Sequence, residues 1–318
     1  MTQQNGTATT PGTKLPPSIV IGNFKVLHRP DGQFEETKAR LAGLGFLLEE
    51  TEHFLLARPA KTDRVILVHR FQSSEVDNNL VDYLMQELPG LMTSEQAFGH
   101  AMIGIVHSIK PHDPVDAWGI FTLNTLQRLR EHMDEHTLQN PTSTIYRRLF
   151  ELKVGASLLD VGCACAFWPV LVAERDLHDQ SSIVGVDSRL DAIHLSQHMA
   201  VLTQHQELTF AQLDLLSPQF VDEVGTFDTV TAIHLLEHLP EAQLALAFQH
   251  LLQVTRHRLM VAVPYEAEAT RAYGHENVFT REILEHWGQW CVEAFDGIGR
   301  FWCEDVAGGL LVIDRSMD

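Results

Sequence analysis

At 318 residues, 45% hydrophobic and 20% charged, the chain is long enough for one large domain or a catalytic domain with a companion, and its composition excludes a disordered protein. Its net charge of -19 is uneven: from Glu151 onward 9 Lys+Arg face 25 Asp+Glu (-16), against 14 and 17 before it (-3). An acidic half of this kind repels phosphate backbones, which disfavours a nucleic-acid substrate.

The opening "MTQQNGTATTPGTKLPP", residues 1–17, has neither a basic start nor an apolar core and reads as a flexible polar tail rather than a secretory signal. From Ser18, "SIVIGNFKVL" predicts a strand, "FEETKARLAGLG" a helix with a glycine stop, and "FLLARP" and "RVILVHR" two further strands, together a small α+β module. Helices follow in "NNLVDYLMQEL", "TLNTLQRLREHMDEH" and "STIYRRLFEL". Between them "KPHDPVDAWG" is expected to form a linker or lid loop. The apolar run "AFGHAMIGIVHSI" is too short and too interrupted by histidine to span a bilayer, so no membrane partner is expected and the protein is read as soluble and cytoplasmic.

After Glu151 the rhythm changes. "SLLDVG", "SIVGVD", "LTFAQLD", "FDTVTAI" and "RLMVAVP" are short apolar runs separated by helical segments, and "CVEAF" and "GLLVID" are read as the last two strands. Such alternation predicts an α/β fold with a doubly wound, mostly parallel sheet. The four cysteines, Cys163, Cys165, Cys291 and Cys303, lack zinc-ribbon spacing and are expected to be reduced thiols.

In a sheet of this type ligands bind beyond the carboxyl ends of the strands, so those ends carry the functional reading. The first strand ends in "LLDVGCACAF", where Asp160 and Gly162 lead into a helix whose first amides are unpaired. The second ends at Asp187, where a carboxylate can accept both hydrogen bonds of a ribose diol. The third ends at Asp214, the fourth near His234 and the fifth at Pro264.

"LLDVGCACA", "IVGVDS", "LTFAQLDLL", "FDTVTAIHLLEHL" and "GHENVFTREILEHWG", in that order over about residues 146–318, resemble the class I S-adenosylmethionine-dependent methyltransferases, especially the group acting on small metabolites. The resemblance implies a Rossmann-like seven-stranded doubly wound sheet with an N-terminal α+β/helical extension. The expected division is 1–17 tail, 18–117 N-terminal module, 118–152 helical connection or lid, and 153–318 methyltransferase domain. S-adenosylmethionine is the implied cofactor. Asp160 and Gly162 would face its methionine part, Asp187 its ribose, and Asp214 with the Leu215 amide its adenine, while Ala164 and Ser188 complete the set. A further resemblance, to the mycofactocin-associated glycan methyltransferases, rests on no motif of the N-terminal half.

The first turn departs from the family pattern, which has glycine at three alternate positions. Here Gly162 is followed by Ala164 and Ala166, and a positive φ at either alanine would cost on the order of 1 kcal/mol. A nicotinamide-binding sheet is the competing reading, but GxAxA fits the dinucleotide GxGxxG poorly.

"HLLEH" places His234, Glu237 and His238 in the HxxEH spacing of inverted zinc peptidases. That site needs both histidines on one helix, one turn apart. "FDTVTAI" reads instead as a strand ending just before His234, and Pro240 as the start of the next helix, so the histidines straddle a loop and no metal is expected. His234 and His275 are the candidate catalytic bases. His238 reads as a structural helix-entry residue, and Trp118 and Tyr146 as core. The expected activity is methyl transfer to a small-molecule acceptor, an O-methylation of a metabolite or glycoside. A non-catalytic cofactor-binding module and a zinc-dependent hydrolase are the alternatives. Acceptor and oligomeric state are left open.

Overall fold

The computed structural model describes residues 18–30, 32–60, 64–134, 141–175 and 182–316; the tail 1–17 lies outside the described residues. Strand β1 (Ile19–Ile21) turns at Gly22, whose φ is 52°, into β2 (Phe24–His28), so "SIVIGNFKVL" is a hairpin rather than one strand. Helix α1 (Gln33–Gly43), the exposed edge strand β3 (Leu47–Glu50), β4 (Phe54–Arg58) and β5 (Val65–His69) complete a sheet of order β1-β2-β5-β4-β3. Helices α2 (Asn79–Glu87), α3 (Glu95–Ile109), α4 (Pro114–Asp134) and α5 (Pro141–Leu152) follow. Leu80, Leu84 and Ile105 of these helices bury one face of the sheet with Val26, Phe54 and Leu67.

"KPHDPVDAWG" is mostly helix, not a lid loop. The break is confined to Lys110–Asp113: Asp113 Oδ1 accepts from the Asp116 amide at 3.0 Å, and Pro114 opens α4, since its fixed φ and missing N–H suit a first helical position. The expected boundary between residues 117 and 118 therefore falls inside a continuous helix.

The second sheet is built from β6 (Ser157–Val161), β7 (Ser182–Asp187), β8 (Thr209–Gln212), β9 (Phe227–Ile233), β10 (Thr255–Val263), β11 (Ile298–Asp305) and β12 (Gly309–Arg315). The helices α6 (Phe167–Arg175), α7 (Leu190–Leu202), α8 (Phe220–Val224), α9 (Glu241–Gln253) and α10 (Arg281–Ala294) connect them. The order is β11-β12-β10-β9-β6-β7-β8; β10, β9, β6, β7 and β8 are parallel, and β12 is antiparallel to both its neighbours. Two apolar cores sandwich the sheet, and β6, buried at every position, shows why its sequence runs apolar rather than alternating. "CVEAF" is not a strand: Leu284, Gly288 and Cys291 are buried at helical spacing in α10, and the strand is the later, half-exposed β11. The order in which the strands are laid down reverses between β6 and β9, with β7 and β8 added on one side and β10 on the other, which opens a crevice at their carboxyl ends. Among the described residues no helix is long and apolar enough to cross a membrane.

Candidate active site

The turn after β6 is held against β7. The amides of Gly162 and Cys163 donate to the Val186 carbonyl at 2.8 and 3.0 Å, and the Ala164 amide donates to Asp187 Oδ2 at 3.1 Å. Gly162 (φ 77°), Ala164 (φ 45°) and Ala166 (φ 60°) all adopt the left-handed conformation, so the turn keeps the shape that three glycines would give it, at the strain anticipated for the two alanines. A Cβ on Gly162 would lie 3.0 Å from the Leu235 side chain, which ties this turn to the end of β9.

Asp160, one residue before the end of β6, is 4% exposed and accepts at Oδ1 from Thr231 Oγ1 at 2.7 Å. Burial pushes its carboxyl up to about 7; the Thr231 hydroxyl opposes the rise and the Asp187 charge adds to it. Asp187 accepts the Ala164 and Arg189 amides on separate oxygens, the latter at 2.9 Å. A carboxylate has about four acceptor positions, so each oxygen keeps capacity for a hydroxyl. Asp160, Gly162, Ala164 and Asp187 thus form one connected group. Ser188 is exposed beside it, its carbonyl accepting from Gln212 Nε2 at 2.9 Å. The end of β8 joins through the Leu213 amide, which donates to the Asp187 carbonyl at 3.0 Å. Asp214 is exposed and accepts from the Leu216 amide at 2.9 Å, whereas the Leu215 side chain is packed in the core and its carbonyl accepts from His250 Nδ1 at 2.6 Å, leaving its amide for any ligand contact.

On the other side of the crevice, His234 follows β9 with φ 51°, its amide donating to the Ala262 carbonyl at 2.9 Å. Its Nδ1 lies 3.1 Å from Glu237 Oε1; the imidazole is 39% exposed and the carboxylate 1%. Glu237 Oε2 is buried without a hydrogen-bond partner. His238 closes a 3-10 turn (Leu236–His238), with Nδ1 3.3 Å from the Gly274 carbonyl. His275 sits in the loop after β10 with Nδ1 2.8 Å from Glu266 Oε2. The Glu237 carbonyl accepts from the amides of Glu276 and Asn277 at 2.8 and 3.0 Å, clasping this loop to the turn after β9. His234 and His275 therefore reach the same side of the crevice, but His275 is far more enclosed, its side chain 7% exposed.

His234 and His238 do straddle a strand-to-helix connection, as the sequence implied. Sequence reasoning missed two partners: Glu266, whose carboxylate orients His275, and His275 itself as the neighbour of Glu237 and His238. The loop that joins them has no period to place it. A cavity of about 580 Å³, also unforeseen, lies between α3, α4 and the start of α7, lined by Phe98, Met102, Trp118, Ala164, Arg189 and Leu195 among others. Of the expected cofactor residues it reaches only Ala164. Trp118 lines it and donates from Nε1 to His107 Nε2 at 3.1 Å, while Tyr146 is core, stacked on Trp168 at 5.7 Å.

A buried carboxylate whose charge lacks a cation, a second carboxylate with spare acceptor capacity, and backbone that approaches closely at Gly162 together suit a cationic ligand that carries a diol. S-adenosylmethionine has both features.

Residues 158–258 match the family model described as a methyltransferase domain. No curated protein matches the sequence. Among solved structures, the methyltransferase domain of bacterial CtHen1-CN is similar at 21% identity, with a TM-score of 0.42 over 56% of this chain and 100% of that one. CurJ carbon methyltransferase is similar at 12% identity, with a TM-score of 0.46 over 89% and 80%. Magnesium protoporphyrin IX methyltransferase from Synechocystis, solved with S-adenosylmethionine bound, is similar at 18% identity, with a TM-score of 0.38 over 77% and 98%. The matched segment runs from β6 into β10, the strands that build the crevice, and this part of the chain is similar to a methyltransferase domain.

Proposed function

We propose that the chain methylates a hydroxyl oxygen of a small molecule, a metabolite or glycoside, with His234 as the base. The observation that carries this reading is the His234–Glu237 pair at the end of β9, one residue from the Leu235 side chain that packs on the cofactor turn. Bound S-adenosylmethionine supplies a methyl group already activated on a sulfonium. The protein's part is to hold the acceptor in line and take its proton. Asp160 would neutralise the cationic methionine part, Asp187 would bind the ribose hydroxyls, and Gly162 and Ala164 would let the backbone close on the ligand. Held by Glu237 Oε1, the proton of a neutral His234 would sit on Nδ1, which would leave Nε2 its lone pair on a ring that is 39% exposed. His275 is the weaker candidate base because it is enclosed and held by Glu266. The acidity of this half, with 9 Lys+Arg against 25 Asp+Glu from Glu151 onward, supports a small acceptor over a nucleic acid.

His234→Ala is expected to lower turnover roughly a hundredfold or more while leaving cofactor affinity within about twofold. Turnover on a panel of hydroxylated acceptors, paired with calorimetric titration of S-adenosylmethionine, checks this. Wild-type turnover in His234→Ala would rule out the base role.

A further inference from the structure

Beside that base, Glu237, His238 and His275 each present one ligand atom, and the three atoms lie within 4.8 Å of one another. Closeness alone would not make a site. Two independent features do.

The first is how the imidazoles are tied. His275 Nδ1 is held by Glu266 Oε2 at 2.8 Å and His238 Nδ1 by the Gly274 carbonyl at 3.3 Å, two oxygen acceptors that draw each ring's proton to Nδ1. Both Nδ1 atoms are therefore donors, and both Nε2 atoms carry lone pairs. An imidazole whose second nitrogen donates to a carboxylate or a backbone carbonyl is the arrangement that orients histidine ligands on metals. The second feature is Glu237, whose residue is 0% exposed and whose Oε2 has no hydrogen-bond partner, an expensive state for a carboxylate oxygen unless a cation meets it.

We propose that Glu237, His238 and His275 bind one divalent transition-metal ion, of the imidazole-accepting class that includes zinc, and that the acceptor's hydroxyl oxygen takes one of its open positions. Two imidazoles and one carboxylate favour such an ion over magnesium or calcium, which prefer all-oxygen shells. Three protein ligands leave at least one position free, the mark of a catalytic rather than a structural site. The HxxEH spacing is thus half of the site: His234 does not ligate but braces Glu237 through Oε1, and His275 from the next loop takes the place a helical His would have filled.

The catalytic part of this inference rests on the O-methylation reading. There the cation lowers the hydroxyl's pKa, the proton passes to His234 Nε2, the oxygen's electron pair forms the O–C bond, and the C–S bond breaks with its pair going to sulfur. The binding part stands apart from it.

The test is a titration of the metal-stripped full-length chain with Co²⁺ alone, read by visible absorption, with Zn²⁺ and Mg²⁺ as competitors. One Co²⁺ per chain is expected, displaced by equimolar Zn²⁺ but not by equimolar Mg²⁺. His238→Ala and His275→Ala should each weaken it by about 100-fold or more, and Glu266→Gln by about 10- to 100-fold, with S-adenosylmethionine binding retained as the check on folding. No Co²⁺ spectrum, equal displacement by Mg²⁺, or unchanged affinity in the exposed-site variant His238→Ala would overturn the site. Stoichiometric metal with no transfer to any hydroxyl, metal-loaded or not, would leave the site standing and reject the O-methylation.

Discussion

Asp160 is a carboxylic acid kept near its neutral form by burial, and its titration sits within the working pH range. With its folded value raised to about 7, the folded chain holds the proton between about pH 4 and 7 while the unfolded chain has released it, so this group's stability contribution is full at low pH and is lost as the pH rises through 7. A cationic ligand reverses the preference by favouring the charged form. S-adenosylmethionine affinity is therefore expected to rise with pH up to about 7 and then level off, with a proton released on binding below that point. Calorimetry in buffers of different ionisation enthalpy measures that proton. In Asp160→Asn the affinity should be weaker and flat with pH, and an unchanged pH profile would reject the assignment. Ala164 makes the complementary case. Its φ of 45° is strained and its methyl is exposed, so Ala164→Gly should stabilise the chain by up to ~1 kcal/mol without weakening the cofactor. Ala166, at φ 60° and 0% exposed, should gain less because its methyl fills the core. Chemical denaturation of the two variants side by side tests the contrast. These positions were legible in the sequence because strand ends punctuate it: Asp160, Gly162, Asp187 and His234 each follow an apolar run. Glu266 and the unpartnered oxygen of Glu237 were not, since nothing local to the loop after β10 says what it will touch.

Strands covered on both faces were read correctly, and a segment whose identity depends on one particular neighbour was not. β6, β7, β9 and β10 are buried on both faces and announce themselves as short apolar runs. "CVEAF" imitates such a run, yet it is the last turn of α10, whose buried positions are set by packing on β11 and β12. The same dependence on a neighbour reverses a propensity at Gly104, in the middle of α3. Replacing a helical glycine by alanine ordinarily adds about 0.5–1 kcal/mol of stability. A Cβ there would lie 2.5 Å from Val26 Cγ2 on β2 and 3.4 Å from Ile21 Cγ2, and the branched Val26 side chain has little freedom to withdraw. Gly104→Ala is therefore expected to destabilise the chain by about 1–3 kcal/mol by lifting α3 off the sheet. A neutral or stabilising result in chemical denaturation would show that α3 rests less tightly on β2 than this.

At the scale of the whole molecule α4 decides how the two halves behave, because the sequence break placed at residue 117 lies in the first turns of a shared element. Ala117 and Phe121 lie in the core beneath the N-terminal sheet, and Leu126, Leu129 and Met133, further along the same helix, lie in the core of the seven-stranded sheet. The loop after β10 makes the converse link: Ala272 is part of the N-terminal core, and Phe98 of α3 meets the Tyr273 ring at 5.3 Å, two residues from His275. Neither link could be read from periodicity, since an amphipathic helix shows that it has a buried face without showing that two cores share it. Melting the N-terminal half would strip apolar cover from α4 and from the loop that carries His275, so the halves should not unfold separately. Calorimetry is expected to show one endotherm, which S-adenosylmethionine moves upward as a whole, because a ligand that binds only the folded chain stabilises every part coupled to its site. Leu129→Ala, which empties a site 0% exposed, should lower that single transition by about 2–5 kcal/mol without splitting it. Two endotherms, with only the upper one answering to the cofactor, would mean that α4 is a tether and that the N-terminal half folds independently of the crevice it adjoins.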